Sequence, residues 1–203
     1  HTSPVPHLRD PIKAGGIADW DYMVDRVAAE ETHWQPGTRQ GYHGLTYAWT
    51  VGQLVRLAAG KPLSAFFRDE VATPLGLDFH IGLPESEEPR VAPMIASDPS
   101  EVNFKSRFFK AVTTEPGSLP QLFLTNQGKA NFNSREIHAA EIGSANGITN
   151  ARGLAGSAHG GNAFLDDLLH LRMPGVAPVP HGSGKIGGAE EHAVDAGHRS
   201  DFL

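Results

Sequence analysis

Residues Leu45 to Ala59, LTYAWTVGQLVRLAA, leave a chain like this little choice of fold. Leu45, Ala48, Trp49, Val51, Leu54, Val55, Leu57 and Ala58 make the stretch apolar almost all round a helical axis. It therefore reads as a deeply buried helix that other elements must cover on every side. Gly60 supplies the C′ residue and Lys61-Pro62 prevents continuation. The approach to this helix is equally constrained. In Trp34 to Trp49, WQPGTRQGYHGLTYAW, a Pro36-Gly37 turn leads to Tyr42 and then directly into the helix. A tight turn that delivers one polar side chain to a helix start is a common way to display a reactive group. Tyr42 is therefore the candidate site residue. The competing reading is a buried tyrosine whose hydroxyl caps the helix that follows.

The rest of the chain reads mainly as helices and loops. His1 to Gly16, with Pro4, Pro6, Pro11 and Gly15-Gly16, is a loop. Asp19 is an N-cap, and Trp20, Met23, Val24 and Val27 form one apolar face of a packing helix over 19–30. A short helix is expected over Pro62 to Ala72, with Leu63, Phe66, Phe67 and Val71 on one side. Gly76 and Pro84 bracket a short strand, LDFHIGL. Pro84 to Pro99 is a Pro- and Glu-rich loop. Ser100 is expected to cap a helix that turns Val102, Phe108, Phe109 and Val112 inward. Glu115 to Asn133 reads as mostly loop around Leu122-Phe123-Leu124. Ser144-Ala145-Asn146-Gly147 makes a turn, and Thr149 is the expected N-cap of a helix through Leu154-Ala155. From about Gly156 glycine and proline recur every few residues. The division is therefore 1–155 as the folded part and 156–203 as a Gly/Pro/His-rich tail, poorly ordered or loosely docked.

Composition excludes several functions. Of the 203 residues 17 are basic and 23 acidic, a net charge of −6, which argues against a nucleic-acid partner, since that needs a basic face. No apolar run reaches the length of a membrane span. Without cysteine there is no disulfide and no thiolate metal site. Such a chain suits any compartment, with the cytoplasm as the expectation. His43 and His80 read as surface or hydrogen-bonded core histidines. His159, His170, His181 and His192 do not form the paired helical spacing a metal needs, so neither metal nor cofactor is expected. Beginning at His1 with no leader pattern, the chain is expected to be cut from something longer, or processed.

Four segments, in order, carry a resemblance. They are His1-Thr2-Ser3; Trp34-Gln35-Pro36-Gly37-Thr38 with Gly41-Tyr42-His43-Gly44; Pro74-Leu75-Gly76-Leu77-Asp78-Phe79 with Ile81-Gly82-Leu83-Pro84; and Ser144-Ala145-Asn146-Gly147 with Ala151-Arg152-Gly153-Leu154-Ala155. Together they resemble the serine β-lactamase-related esterases, a family that includes penicillin-binding carboxypeptidases. The first segment is similar to that family's H-T-S-G step, with Pro4 in place of glycine. The resemblance spans residues 1 to about 155. It implies an α+β, β-lactamase/transpeptidase-like fold, an antiparallel sheet flanked by helices and joined to a mostly helical subdomain. This chain would supply mainly the helical subdomain, with little sheet, and would leave apolar surface through which it could oligomerise.

The implied chemistry is acyl transfer from a small ester through a covalent acyl-serine. A serine hydroxyl needs a neighbouring base. The family places it in S-x-x-K at a helix start, so that the lysine lies on the same face one turn on. A second-motif tyrosine, which Tyr42 matches, joins the lysine; ammonium charge nearby favours its phenolate, which can shuttle the proton. The second-motif asparagine of the β-lactamases falls on Gly44, which removes an amide that could hold a β-lactam side chain. The residues three before Lys13, Lys61, Lys105, Lys110, Lys129 and Lys185 are Asp10, Ala58, Val102, Arg107, Asn126 and Gly182, so S-x-x-K does not occur in these residues, and neither does a G-x-S-x-G elbow. If His1-Thr2-Ser3 is the family's step, the serine and lysine belong upstream of residue 1. Lys185-Ile186-Gly187 mimics the K-T-G third motif, and His181-Gly182 the start of an H-G-G one. Two readings follow: part of a serine esterase, or a non-catalytic, truncated or frameshifted module of the same origin.

Overall fold

The computed structural model describes residues 1–158 apart from 99 and 101. Helix dominates. After a loop and a 3₁₀ turn at Gly16–Ala18 come α1 (Trp20–Ala29), α2 (Thr46–Ala59) and α3 (Leu63–Phe67), the last running on as a π-helical turn over Arg68–Ala72. Strand β1 (Phe79–His80), a 3₁₀ helix (Glu85–Arg90), α4 (Arg107–Thr114), α5 (Leu119–Thr125), α6 (Arg135–Ala139) and β2 (Ile148–Thr149) follow, and residues 151–158 are again helical. The two strands pair antiparallel, Phe79 opposite Thr149 and His80 opposite Ile148.

α1 begins where Asp19 accepts a hydrogen bond from the Tyr22 amide, which satisfies one of the free donors of a helix start. Its Met23 is fully buried. α1 packs on α2 through Trp20. The indole lies against Gly52, where a Cβ would come within 2.7 Å of Trp20 Cη2, and Trp20 Nε1 donates to Gln53 Oε1 at 2.9 Å. Leu8, Ile17, Met23, Leu45, Ala48, Trp49, Ile137, Ala140 and Ile142 form the core. It therefore lies among the leading loop, α1, the inner face of α2 and the α6 region.

The expected burial of α2 on all sides is corrected. Trp49 is 2% exposed, but Leu54 is 64% and Leu57 71% exposed, and Tyr47 and Val51 also face outward. α1 and α3 pack on one side, and the described residues supply no layer for the other. The expected C-terminus holds, with Gly60 at φ 67° and its amide bonded to Arg56 O.

Further corrections concern caps. The helix containing Phe108 and Phe109 starts later than expected, at Arg107, because Ser106 rather than Ser100 accepts the Phe109 amide. Glu115 to Asn133 is not mostly loop: Ser118 caps α5, and Leu122 is buried in it. The 3₁₀ helix lies inside the segment expected to be a loop after Pro84. Thr149 does not cap the helix that follows; it pairs in β2 and its hydroxyl donates to Asp78 O at 2.8 Å. Asn150 does the capping, accepting from the Gly153 amide at 2.9 Å. The segment expected as a tail, with Lys185-Ile186-Gly187 and the four spaced histidines, lies almost wholly outside the described residues. Among the described residues no helix is long and apolar enough to cross a membrane.

Candidate active site

The leading loop is fastened to the start of α2. Thr46 Oγ1 lies 3.0 Å from Val5 O and 2.8 Å from Pro6 O. Farther along, the Asn126 side chain after α5 accepts from the Ile12 amide and donates to Leu8 O and Asp10 O. Buried main-chain groups must find partners, and these two side chains supply them for a loop with no ladder of its own. His1 to Ser3 is thereby brought alongside the turn that carries Tyr42.

That turn is built as its sequence suggests. Gly37 has φ 79°, and the Thr38 amide closes on Gln35 O at 3.1 Å. The Gly41 amide then donates to His1 O at 3.1 Å. From there side chains alternate. Tyr42 points out and is 65% exposed, while His43 points in and is buried. The reading of Tyr42 as a buried helix cap is excluded, since α2 has Leu45 at its N-cap position and no side-chain cap. The phenol ring stands 5.4 Å from the His1 ring and 6.0 Å, edge-on, from Phe123.

His43 is a core histidine. Its Nδ1 lies 2.6 Å from Gly41 O, so Nδ1 carries the proton and donates. Nε2 is buried without a partner. Burial lowers the pKa of His43, and the Gly41 carbonyl only partly opposes this. His7, buried nearby, is pushed down to about 4 by burial first and by His33 and His43 second. Both imidazoles are therefore neutral near neutrality. His80 sits near the surface, 3.5 Å from Asp78 Oδ1.

The fold joins the four sequence segments pairwise. The first meets the second through Gly41 and His1. The fourth comes alongside the second through Ser144 Oγ, which donates at 3.1 Å to the carbonyl of Leu45, the residue just after Gly44. The third meets the fourth where Thr149 bonds to Asp78 O, with Gly153 packed on the same carbonyl. Asn146 is buried and donates to Ile137 O and Ala140 O at 2.7 and 2.6 Å. It thus holds α6 and the turn together.

Phe123 is the neighbour of Tyr42 that sequence reasoning missed. A signal existed: Ser118-x-x-Gln121 is a capping-box pattern, and the Gln121 side chain does reach back to the Gly117 amide at 2.6 Å. That pattern makes a helix of 119–125 and fixes which way Phe123 faces. Phe108 lies 6.3 Å behind it and His7 5.6 Å to one side.

Comparison with known proteins gives this arrangement its context. A family model described as Beta-lactamase matches residues 1–186. The chain is 32% identical over 161 residues to Esterase/beta-lactamase LipL of Mycobacterium tuberculosis, an alignment covering 68% of this chain and 33% of that protein. A crystal structure of a penicillin-binding protein homolog from Caulobacter crescentus superposes with a TM-score of 0.64 at 27% identity, over 79% of this chain and 40% of that one. EstA from Arthrobacter nitroguajacolicus Rue61a does so at 0.58 and 29%, over 76% of this chain and 40% of that one. The chain thus spans about a third of the curated relative's length. Its fold is β-lactamase/transpeptidase-like, represented among the described residues by a mostly helical subdomain with one small two-stranded sheet. The chain belongs to the Beta-lactamase family of serine hydrolases.

Proposed function

We propose that this chain is part of a serine hydrolase that cleaves small acyl esters through a covalent acyl-serine, with Tyr42 as its proton-shuttling phenol. The observation that carries this is the exposure of Tyr42 beside the His1-Thr2-Ser3 segment, to which it is tied by the Gly41–His1 hydrogen bond. A phenol held at the surface by a rigid turn can meet a substrate, and one sealed in the core could not. In the step we propose, the serine oxygen attacks the ester carbonyl as its proton passes to the Tyr42 oxygen. Tyr42 takes that proton as the phenolate and, as the phenol so formed, returns it to the departing alkoxide, so it ends as the phenolate it began as. Serine and lysine come from outside these 203 residues, which contain no S-x-x-K. The names of the relatives, an esterase/β-lactamase and EstA, are in keeping with an ester substrate.

The second reading, a non-catalytic module of the same origin, is favoured by that same missing pair. Nitrophenyl acetate hydrolysis separates the two. The 203-residue chain alone is expected to give no turnover above buffer. The protein encoded by the full reading frame is expected to turn over, with a loss of at least about a hundredfold on Tyr42→Phe. Full activity in that variant would remove Tyr42 from the mechanism. No turnover by the full-frame protein would favour the second reading.

A further inference from the structure

The rings around Tyr42 form a continuous row. Tyr47 and Tyr42 flank the His1 ring at 5.7 and 5.4 Å. On the other side Tyr42 meets Phe123 at 6.0 Å, and Phe123 meets Phe108 at 6.3 Å. Gly44 explains why Phe123 can approach. A Cβ at position 44 would lie 2.6 Å from Phe123 Cδ2 and closer still to Cε2. The ring therefore fills the room that a side chain at 44 would take.

We propose that Phe123, backed by Phe108, is the specificity wall of the site: it receives the apolar acyl chain of an ester whose carbonyl lies at Tyr42. The proposal rests on the reading of Tyr42 given above and goes beyond it by naming the acyl class. The Phe123 and Phe108 rings offer no hydrogen-bond donor, so a polar acyl substituent placed on them loses water without recompense. A straight alkanoyl chain gains about fourfold in affinity for each methylene it removes from water. Because Phe123 stands in for any side chain at 44, the wall belongs to the pair Gly44–Phe123 and not to either residue alone.

Two measurements test it. In the first, the 203-residue chain is titrated with sodium octanoate and with sodium acetate while the aromatic proton resonances are followed. Octanoate is expected to shift Tyr42, Phe123 and Phe108 saturably, and acetate is not. Phe123→Leu, which keeps an apolar helix face, and Gly44→Ala, which keeps the ring but displaces it, are each expected to weaken octanoate binding at least tenfold. Absence of those shifts in the parent, or an affinity in both variants unchanged from the parent's, overturns the wall whatever Tyr42 does. In the second, the full-frame protein is assayed on nitrophenyl octanoate and acetate. The octanoate-to-acetate ratio of kcat/KM is expected to fall at least tenfold in both variants, with Tyr42 still required. An unchanged ratio overturns the wall, whereas a collapse of the Tyr42 requirement with octanoate shifts intact overturns the catalytic reading instead.

Discussion

The Thr46 hydroxyl sits 2.8 Å from the carbonyl of Pro6, across forty residues of chain. Thr46 is buried in the first turn of α2, and the same hydroxyl lies 3.0 Å from Val5 O. One side chain thus joins the leading loop to the helix that follows the Tyr42 turn. Thr46→Val keeps the shape and removes the donor, leaving the buried Pro6 carbonyl unsatisfied. The expected cost is about 1–3 kcal/mol in urea unfolding, with Thr46→Ser close to the parent. A neutral Thr46→Val would mean that this hydroxyl does not hold the loop.

Gly128 serves the same junction from the far side. Its φ is +59°, and a Cβ there would fall 2.7 Å from the main-chain oxygen of Lys13. The Gly128 carbonyl also accepts from the Gly15 amide at 2.9 Å. A left-handed backbone costs an L-residue about 1–2 kcal/mol, and here a carbonyl must move as well. Gly128→Ala should lower stability by more than about 2 kcal/mol, read as a drop in the urea midpoint. Gly117→Ala is the control: its φ is also positive, but its Cβ would meet nothing, so only the backbone term should appear.

The buried histidines set an acid limit. His7 has a folded pKa of about 4 against an ordinary 6.5. Above pH 6.5 it is neutral in both states and costs nothing. Between 6.5 and 4 the unfolded chain takes up a proton that the folded chain refuses, so stability falls as pH falls. The full loss is about 3 kcal/mol. His43 is lowered by burial too and acts in the same direction. Carboxylates such as Glu88, held down by His138 first and then Arg135, add their loss at lower pH. The urea midpoint should therefore decline from pH 7 to 5, and less steeply in His7→Gln. A flat midpoint over that range would contradict the burial of His7.

Tyr42→Phe should leave the fold alone. The hydroxyl faces water on a ring that is mostly exposed, and phenylalanine keeps the ring contacts with His1 and Phe123. Stability is expected within about 0.5 kcal/mol of the parent while ester turnover by the full-frame protein is lost. A large drop in stability would instead mark Tyr42 as a structural residue.

Local chemistry was legible wherever it was self-contained. Asp19, Gly60 and the Pro36-Gly37 turn each do in the fold what their residue types require, because a cap or a positive φ is decided within a few residues. Ser106, Ser118 and Ser134 are equally local caps. Choosing Ser106 over Ser100, and seeing helix in 119–125, called for reading the capping pattern ahead of the nearby prolines and glycines.

The sequence by itself determined the helical character, the family segments and Tyr42 at the end of a turn, since these follow from residue type and short spacing. Tertiary structure decided the rest. Among the described residues the apolar face of Leu54 and Leu57 stays uncovered, which periodicity could not tell: it shows what a helix could bury and not how many neighbours arrive to bury it. Phe123 reaches Tyr42 because the turn ahead of α2 carries Gly44 just where α5 packs, and contact across eighty residues of chain leaves no trace in local spacing.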